Sequence, residues 1–145
     1  MQFSEVLKDL MLDKNTNVQQ ISKETGIDDS VIYDYLYGSV PNIKFAMILA
    51  NYFNCSLNFL MGIDEEPNSY KFKTDYDISV FSKRYDALLD EFKISHYKLS
   101  KEKKLNYSSH YAWQHGAVPS MNSLIIISRY FGVSIDYLVG RTDIK

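Results

Sequence analysis

Apolar residues recur at intervals of three and four along most of the chain, the spacing of helices that bury one face. Phe3, Val6, Leu7, Leu10 and Met11 predict a first helix. Asn17 is placed to cap a second, which runs through Thr25 with Val18 and Ile21 inward, and Gly26 supplies the left-handed residue that ends it. Asp28 is expected to cap a third helix reaching Tyr37, closed by Gly38. Pro41 and Asn42 introduce a fourth through Phe53, and Ser56 caps a short fifth ending near Gly62.

The same pattern then returns. Shifting the sequence against itself by 78 positions aligns residues 3–65 with 81–143 without a gap. Ser22-Lys23-Glu24 meets Ser100-Lys101-Glu102, Gly38, Val40 and Pro41 meet Gly116, Val118 and Pro119, and Tyr52-Phe53 meets Tyr130-Phe131. Two such units are too few for a solenoid, so each must bury its own apolar face. The expected layout is a first domain over 1–63, a polar linker over 64–78 and a second domain over 79–145. Tyr70, Phe72 and Tyr76 alternate with polar residues in the linker, which leaves open a short strand or a segment packed on a neighbour.

Composition narrows the class. Of 145 residues 46% are hydrophobic and 23% charged, enough apolar material for a core. The lone Cys55 excludes a disulfide framework and a cysteine-built zinc site, and a reducing cytoplasm is the expected location. The first sixteen residues mix charged and apolar positions and offer no continuous signal core. Residues 45–63 carry no formal charge, but Asn51, Asn54, Ser56 and Asn58 would each need a partner in lipid, so this stretch reads as core helix and no membrane association is expected.

The net charge of −2 conceals two opposed halves. Residues 3–65 hold four Lys and nine Asp or Glu, a net of −5; residues 81–145 hold ten Lys or Arg and six Asp or Glu, a net of +4. Phosphate neutralisation dominates DNA affinity, so only the second half is suited to a polyanion. No Gly-rich phosphate loop, His-Glu-x-x-His or nucleophile–base arrangement points to an enzyme or a cofactor. His96, His110 and His115 match no metal-ligand spacing.

Two helices joined through Gly26, followed by Ile27-Asp28-Asp29-Ser30-Val31-Ile32-Tyr33 and by Val40-Pro41, resemble the Cro/cI (Xre-type) helix-turn-helix domain. The second unit resembles it most at Tyr130-Phe131-Gly132-Val133-Ser134-Ile135-Asp136-Tyr137-Leu138 and on through Val139-Gly140-Arg141-Thr142-Asp143. The resemblance covers both units and implies an all-α fold of two tandem five-helix, lambda-repressor-like helix-turn-helix domains. It also implies contact positions. The family's phosphate-touching residue at the start of the second helix falls on Val18 in the first unit and His96 in the second. Its recognition-helix positions fall on Asp29, Ser30, Tyr33 and Asp34, and on Tyr107, Ser108, Tyr111 and Ala112.

Val18 cannot bond a phosphate, and Asp28, Asp29 and Asp34 would repel one. Their plainer role, as caps and partners of a helix dipole, is compatible with loss of DNA contact. Lys98, Lys101, Lys103 and Lys104 crowd the corresponding part of the second unit, either reaching phosphates or lining a solvated face. Lys104 stands where the first unit has Gly26, so a side chain is expected in a left-handed turn, and His110 replaces Ile32 at a position that normally faces a core. Trp113, opposite Tyr35, is expected at a domain or subunit surface. Tyr33, Tyr35 and Tyr37 offer either a sticky partner surface or one core ring flanked by half-exposed ones.

The implied function is a sequence-specific, repressor-like transcriptional regulator that binds double-stranded DNA through residues 107–115. Tyr107, Ser108, Tyr111 and Ala112 would meet base edges, His115 would close that stretch, and His96, Lys98 and Lys101 would hold the backbone. The first domain would supply homodimer or protein contacts. The reading from another class is a protein-interaction module, antirepressor or antitoxin-like, in which neither domain reads DNA.

Overall fold

Short polar side chains fix most of the helix starts. Asn17 accepts the amide of Gln20 at 2.8 Å, Asn42 that of Phe45 at 2.8 Å, Ser56 that of Phe59 at 3.0 Å and Ser134 that of Tyr137 at 3.0 Å. The computed structural model describes residues 1–67, 72–73 and 77–145, and ten helices are the regular elements among them. They fall into two units, Met1–Tyr70 and Lys71–Lys145. No helix among the described residues is long and apolar enough to cross a membrane.

The first unit contains α1 (Phe3–Lys14), α2 (Val18–Thr25), α3 (Asp29–Leu36), α4 (Ile43–Phe53) and α5 (Leu57–Leu60). Leu7, Ile21, Ile32, Leu49, Leu57 and Leu60 are wholly buried, each such side chain contributing about 1.5–3 kcal/mol by its removal from water. Phe3 meets Tyr35 edge to face at 5.5 Å, so Tyr35 is the core ring of the tyrosine trio while Tyr33 and Tyr37 are exposed. One cap differs from expectation. Asp28 occupies the N-cap position of α3 but its side chain makes no capping bond, and the nearest carboxylate bond is from the Ser30 amide to Asp29 at 2.8 Å.

The second unit contains α6 (Val80–Glu91), α7 (His96–Lys103), α8 (Ser109–Gln114), α9 (Met121–Phe131) and α10 (Ile135–Leu138). Its core is more aromatic. Phe81 and Tyr85 stack at 5.8 Å, and Trp113 meets them edge to face at 5.1 and 5.4 Å. Trp113 is only 6% exposed, which corrects the surface placement expected for it: the rings of Phe81 and Tyr85 make a slot that an indole fills.

Backbone hydrogen bonds repeat at the interval of the sequence repeat. Cys55 N–H donates to Ala50 and Val133 N–H to Ser128; Ile63 N–H donates to Asn58 and Arg141 N–H to Asp136. Beyond the aligned stretch, Ser56 N–H donates to the carbonyl of Pro67 at 3.1 Å and Ser134 N–H to that of Lys145 at 3.0 Å. In the polar segment read as a linker, Phe72 lies under the Arg141 guanidinium at 4.2 Å and Lys73 N–H donates to the Arg141 carbonyl at 2.8 Å. Its Tyr70 and Tyr76 lie outside the described residues.

Candidate nucleic-acid interface

In the first unit α2 turns into α3 through Gly26, whose φ of +79° is open to glycine without cost. The surface this presents is acidic. Asp28, Asp29 and Asp34 are exposed, with Tyr33 held by a 3.1 Å bond from the Gln19 side chain and Tyr37 standing 89% exposed. Val18, at the expected phosphate position, is buried.

In the second unit the corresponding turn is built differently. Lys104 takes the left-handed position with φ +59°, the strained side chain expected from sequence. Leu105 drops into the core, and Asn106 accepts both the amide and the hydroxyl of Ser108 at 3.1 and 2.8 Å. That local turn holds Tyr107 and Ser108 out of the helix, so α8 begins two residues later than its counterpart α3 and runs for six residues rather than eight.

The expected contact residues divide. Lys98 and Lys101 are exposed on α7, with Lys101 Nζ 4.6 Å over the Tyr97 ring. Tyr107 and Tyr111 are 64% and 68% exposed, and Ser108 lies beside them at the surface. His115 stacks on Tyr111 at 4.0 Å and donates from Nδ1 to the Tyr111 carbonyl at 2.8 Å, while Ala112 is half-buried. These six side chains and Ala112 lie in or beside the turn between α7 and α8, or on those helices and their ends.

His96 does not join them. Its ring is buried, with Nδ1 2.6 Å from the Tyr85 hydroxyl and Nε2 3.2 Å from the Asn106 carbonyl, so the expected phosphate contact from this side chain is corrected to a core role. Desolvation pushes its pKa below the ordinary histidine value, so the neutral ring is favoured: Tyr85 donates to Nδ1 and Nε2–H donates to Asn106. The neighbouring His110 ring is 4.7 Å away and its Nε2 lies 2.6 Å from an Asp86 oxygen, while Gln114 donates to the other Asp86 oxygen at 3.2 Å.

Tyr85, His96 and His110 stand 78 positions after Leu7, Val18 and Ile32. Where the first unit buries three aliphatic side chains, the second ties α6, α7 and α8 with a hydrogen-bonded aromatic network. Sequence reasoning found His110 at that position but missed Tyr85, Asp86 and the exposed Tyr97. The available signal was the joint replacement of three core aliphatics by groups that can bond one another.

The family model described as Helix-turn-helix matches residues 7–60 of this chain. The match runs from within α1 to the end of α5 and so spans the five helices of the first unit. Neither the curated proteins nor the solved structures gave a match.

Proposed function

We propose that the chain is a DNA-binding transcriptional regulator of the Cro/cI type, cytoplasmic and non-enzymatic, with tandem helix-turn-helix domains over 1–63 and 79–145 joined by 64–78. The second domain holds the DNA. The observation that carries this reading is the set of exposed lysines, Lys98, Lys101, Lys103 and Lys104, on one helix and its turn beside exposed Tyr107, Ser108 and Tyr111. Lys98 and Lys101 neutralise phosphates and fix register, while Tyr107, Ser108 and Tyr111 face the bases, backed by Ala112 and His115. The recurrence of backbone bonds 78 residues apart supports a duplicated domain, since register-specific bonds such as Ser56 to Pro67 and Ser134 to Lys145 depend on the same turn geometry.

The first domain supplies contacts to a protein, either a second chain or another partner. Its α3 face combines aspartates that repel phosphate with exposed Tyr33 and Tyr37, ring types enriched where proteins meet. Paired chains would present second domains about 34 Å apart, one turn of duplex. A salt titration with random-sequence duplex tests the reading. Affinity that falls steeply as salt rises supports it; no binding of DNA, paired or unpaired, at any salt overturns it and leaves the protein-interaction module.

A further inference from the structure

Three tyrosines stand out of the same part of the second unit: Tyr97 at the start of α7, Tyr107 in the turn and Tyr111 on α8, exposed by 51%, 64% and 68%. They are held in place by one another and by polar neighbours. Tyr97 and Tyr107 meet edge to face at 5.6 Å, Lys101 lies over the Tyr97 ring, and Tyr111 rests against His115 in a near-parallel stack with 24° between the planes. A groove runs beside them, with Tyr97, Tyr107 and Tyr111 on its lining together with Asp86, Asp90 and Lys93.

The chemistry of this face suits base faces better than base edges. Edge reading in a duplex groove relies on forked donors and acceptors such as Arg, Asn and Gln. Here Asn106 is engaged by Ser108, and Gln114 by Asp86. The outward side chains include this aromatic surface and the exposed Lys98, Lys101, Lys103 and Lys104, interrupted on α7 by the exposed Glu102. Duplex DNA hides its base faces within the stack, whereas an unpaired strand offers them, and stacking on a ring is tolerant of sequence.

We propose that this face binds single-stranded DNA, with unpaired bases stacking on Tyr111 and Tyr107 and the lysines following the phosphates. The inference rests on the reading of the second domain as DNA-binding and names the form of DNA it prefers. The His115–Tyr111 stack is the start of a column that a base extends, and holding Tyr111 in that pose before binding reduces the ordering cost.

The test uses the full chain and labelled oligonucleotides of about 15 nucleotides, within the span of known single-strand sites: a mixed-sequence strand, its duplex and an abasic strand with the same phosphates. The expected result is tighter binding of the mixed strand than of duplex. Removing the bases, or substituting Tyr111→Leu or Tyr107→Leu, weakens single-strand binding at least about fivefold. Leu12→Ala, an exposed apolar side chain of the first unit that takes no part in the contacts assigned above, leaves it unchanged, and Trp113 fluorescence verifies that the second unit is folded in the tyrosine variants. Preference for duplex, or equal binding of abasic and mixed strands, overturns the stacking inference while leaving the second domain as a DNA binder. Failure to bind any of the three overturns both.

Discussion

Asp136 and Arg141 form an ion pair whose side chains are 2% and 1% exposed, within the second unit. The positions 78 residues earlier hold Asn58 and Ile63 on the same backbone frame, with Ile63 N–H donating to Asn58 where Arg141 N–H donates to Asp136. One frame therefore supports either a neutral combination or a charged pair, and the charged pair has a desolvation cost that the attraction between its members offsets.

Arg141→Ile alone leaves Asp136 buried without this partner and is expected to cost about 3–5 kcal/mol of stability. The double variant Asp136→Asn with Arg141→Ile reproduces the first unit's choice and is expected to recover at least about 1 kcal/mol of that loss. Urea unfolding followed at Trp113, the one tryptophan in the chain and part of the second unit's core, measures both. Equal destabilisation of the single and double variants would show that the pair is not an energetic unit.

Much of the fold was legible because helix caps are local: Asn17, Asn42 and Ser56 each bond an amide three residues on, a distance that sequence spacing reveals directly. Asp28 shows the limit of that logic, since Asp29 instead receives the nearby Ser30 amide. Side chains whose roles depend on remote partners were harder to read. His96 has the register of a phosphate contact, but Tyr85, eleven residues away on another helix, supplies the bond that draws it inward. Trp113 was misplaced for the same reason, because the slot it fills is made by α6. The α8 start depends on Asn106, whose local bond to Ser108 shortens the helix.

The network around His96 makes the second unit sensitive to mild acid. Burial lowers the folded-state pKa of His96 below the ordinary 6.5, with the like charge of His110 acting in the same direction and Asp86 against it. As pH falls below that ordinary value the unfolded chain takes up a proton that the folded chain resists, so stability declines with falling pH in this window. His96→Gln keeps an acceptor for Tyr85 and a donor for Asn106 but cannot titrate. Unfolding midpoints compared at pH 7 and 5.5 are expected to fall more for the native chain than for this variant; an equal fall would exclude His96 as the source.

Lys104 separates stability from binding. Its left-handed φ strains a side-chain-bearing residue by about 1 kcal/mol, a cost glycine does not incur. Lys104→Gly is therefore expected to stabilise the second unit by up to about 1 kcal/mol in urea unfolding while reducing DNA affinity through the lost cation. A variant that is both less stable and unchanged in affinity would contradict the roles assigned to this residue.

If DNA is held by the second domain and not by the first, matched lysines in the two units contribute unequally to binding. Lys23 and Lys101 are exposed residues of the same type, in the last turns of α2 and α7 and 78 positions apart. Affinity for random duplex at low salt is to be measured for Lys23→Glu and Lys101→Glu in the full chain. The expected result is a loss of roughly tenfold for Lys101→Glu and little change for Lys23→Glu. Equal losses, or a loss only at Lys23, would contradict it.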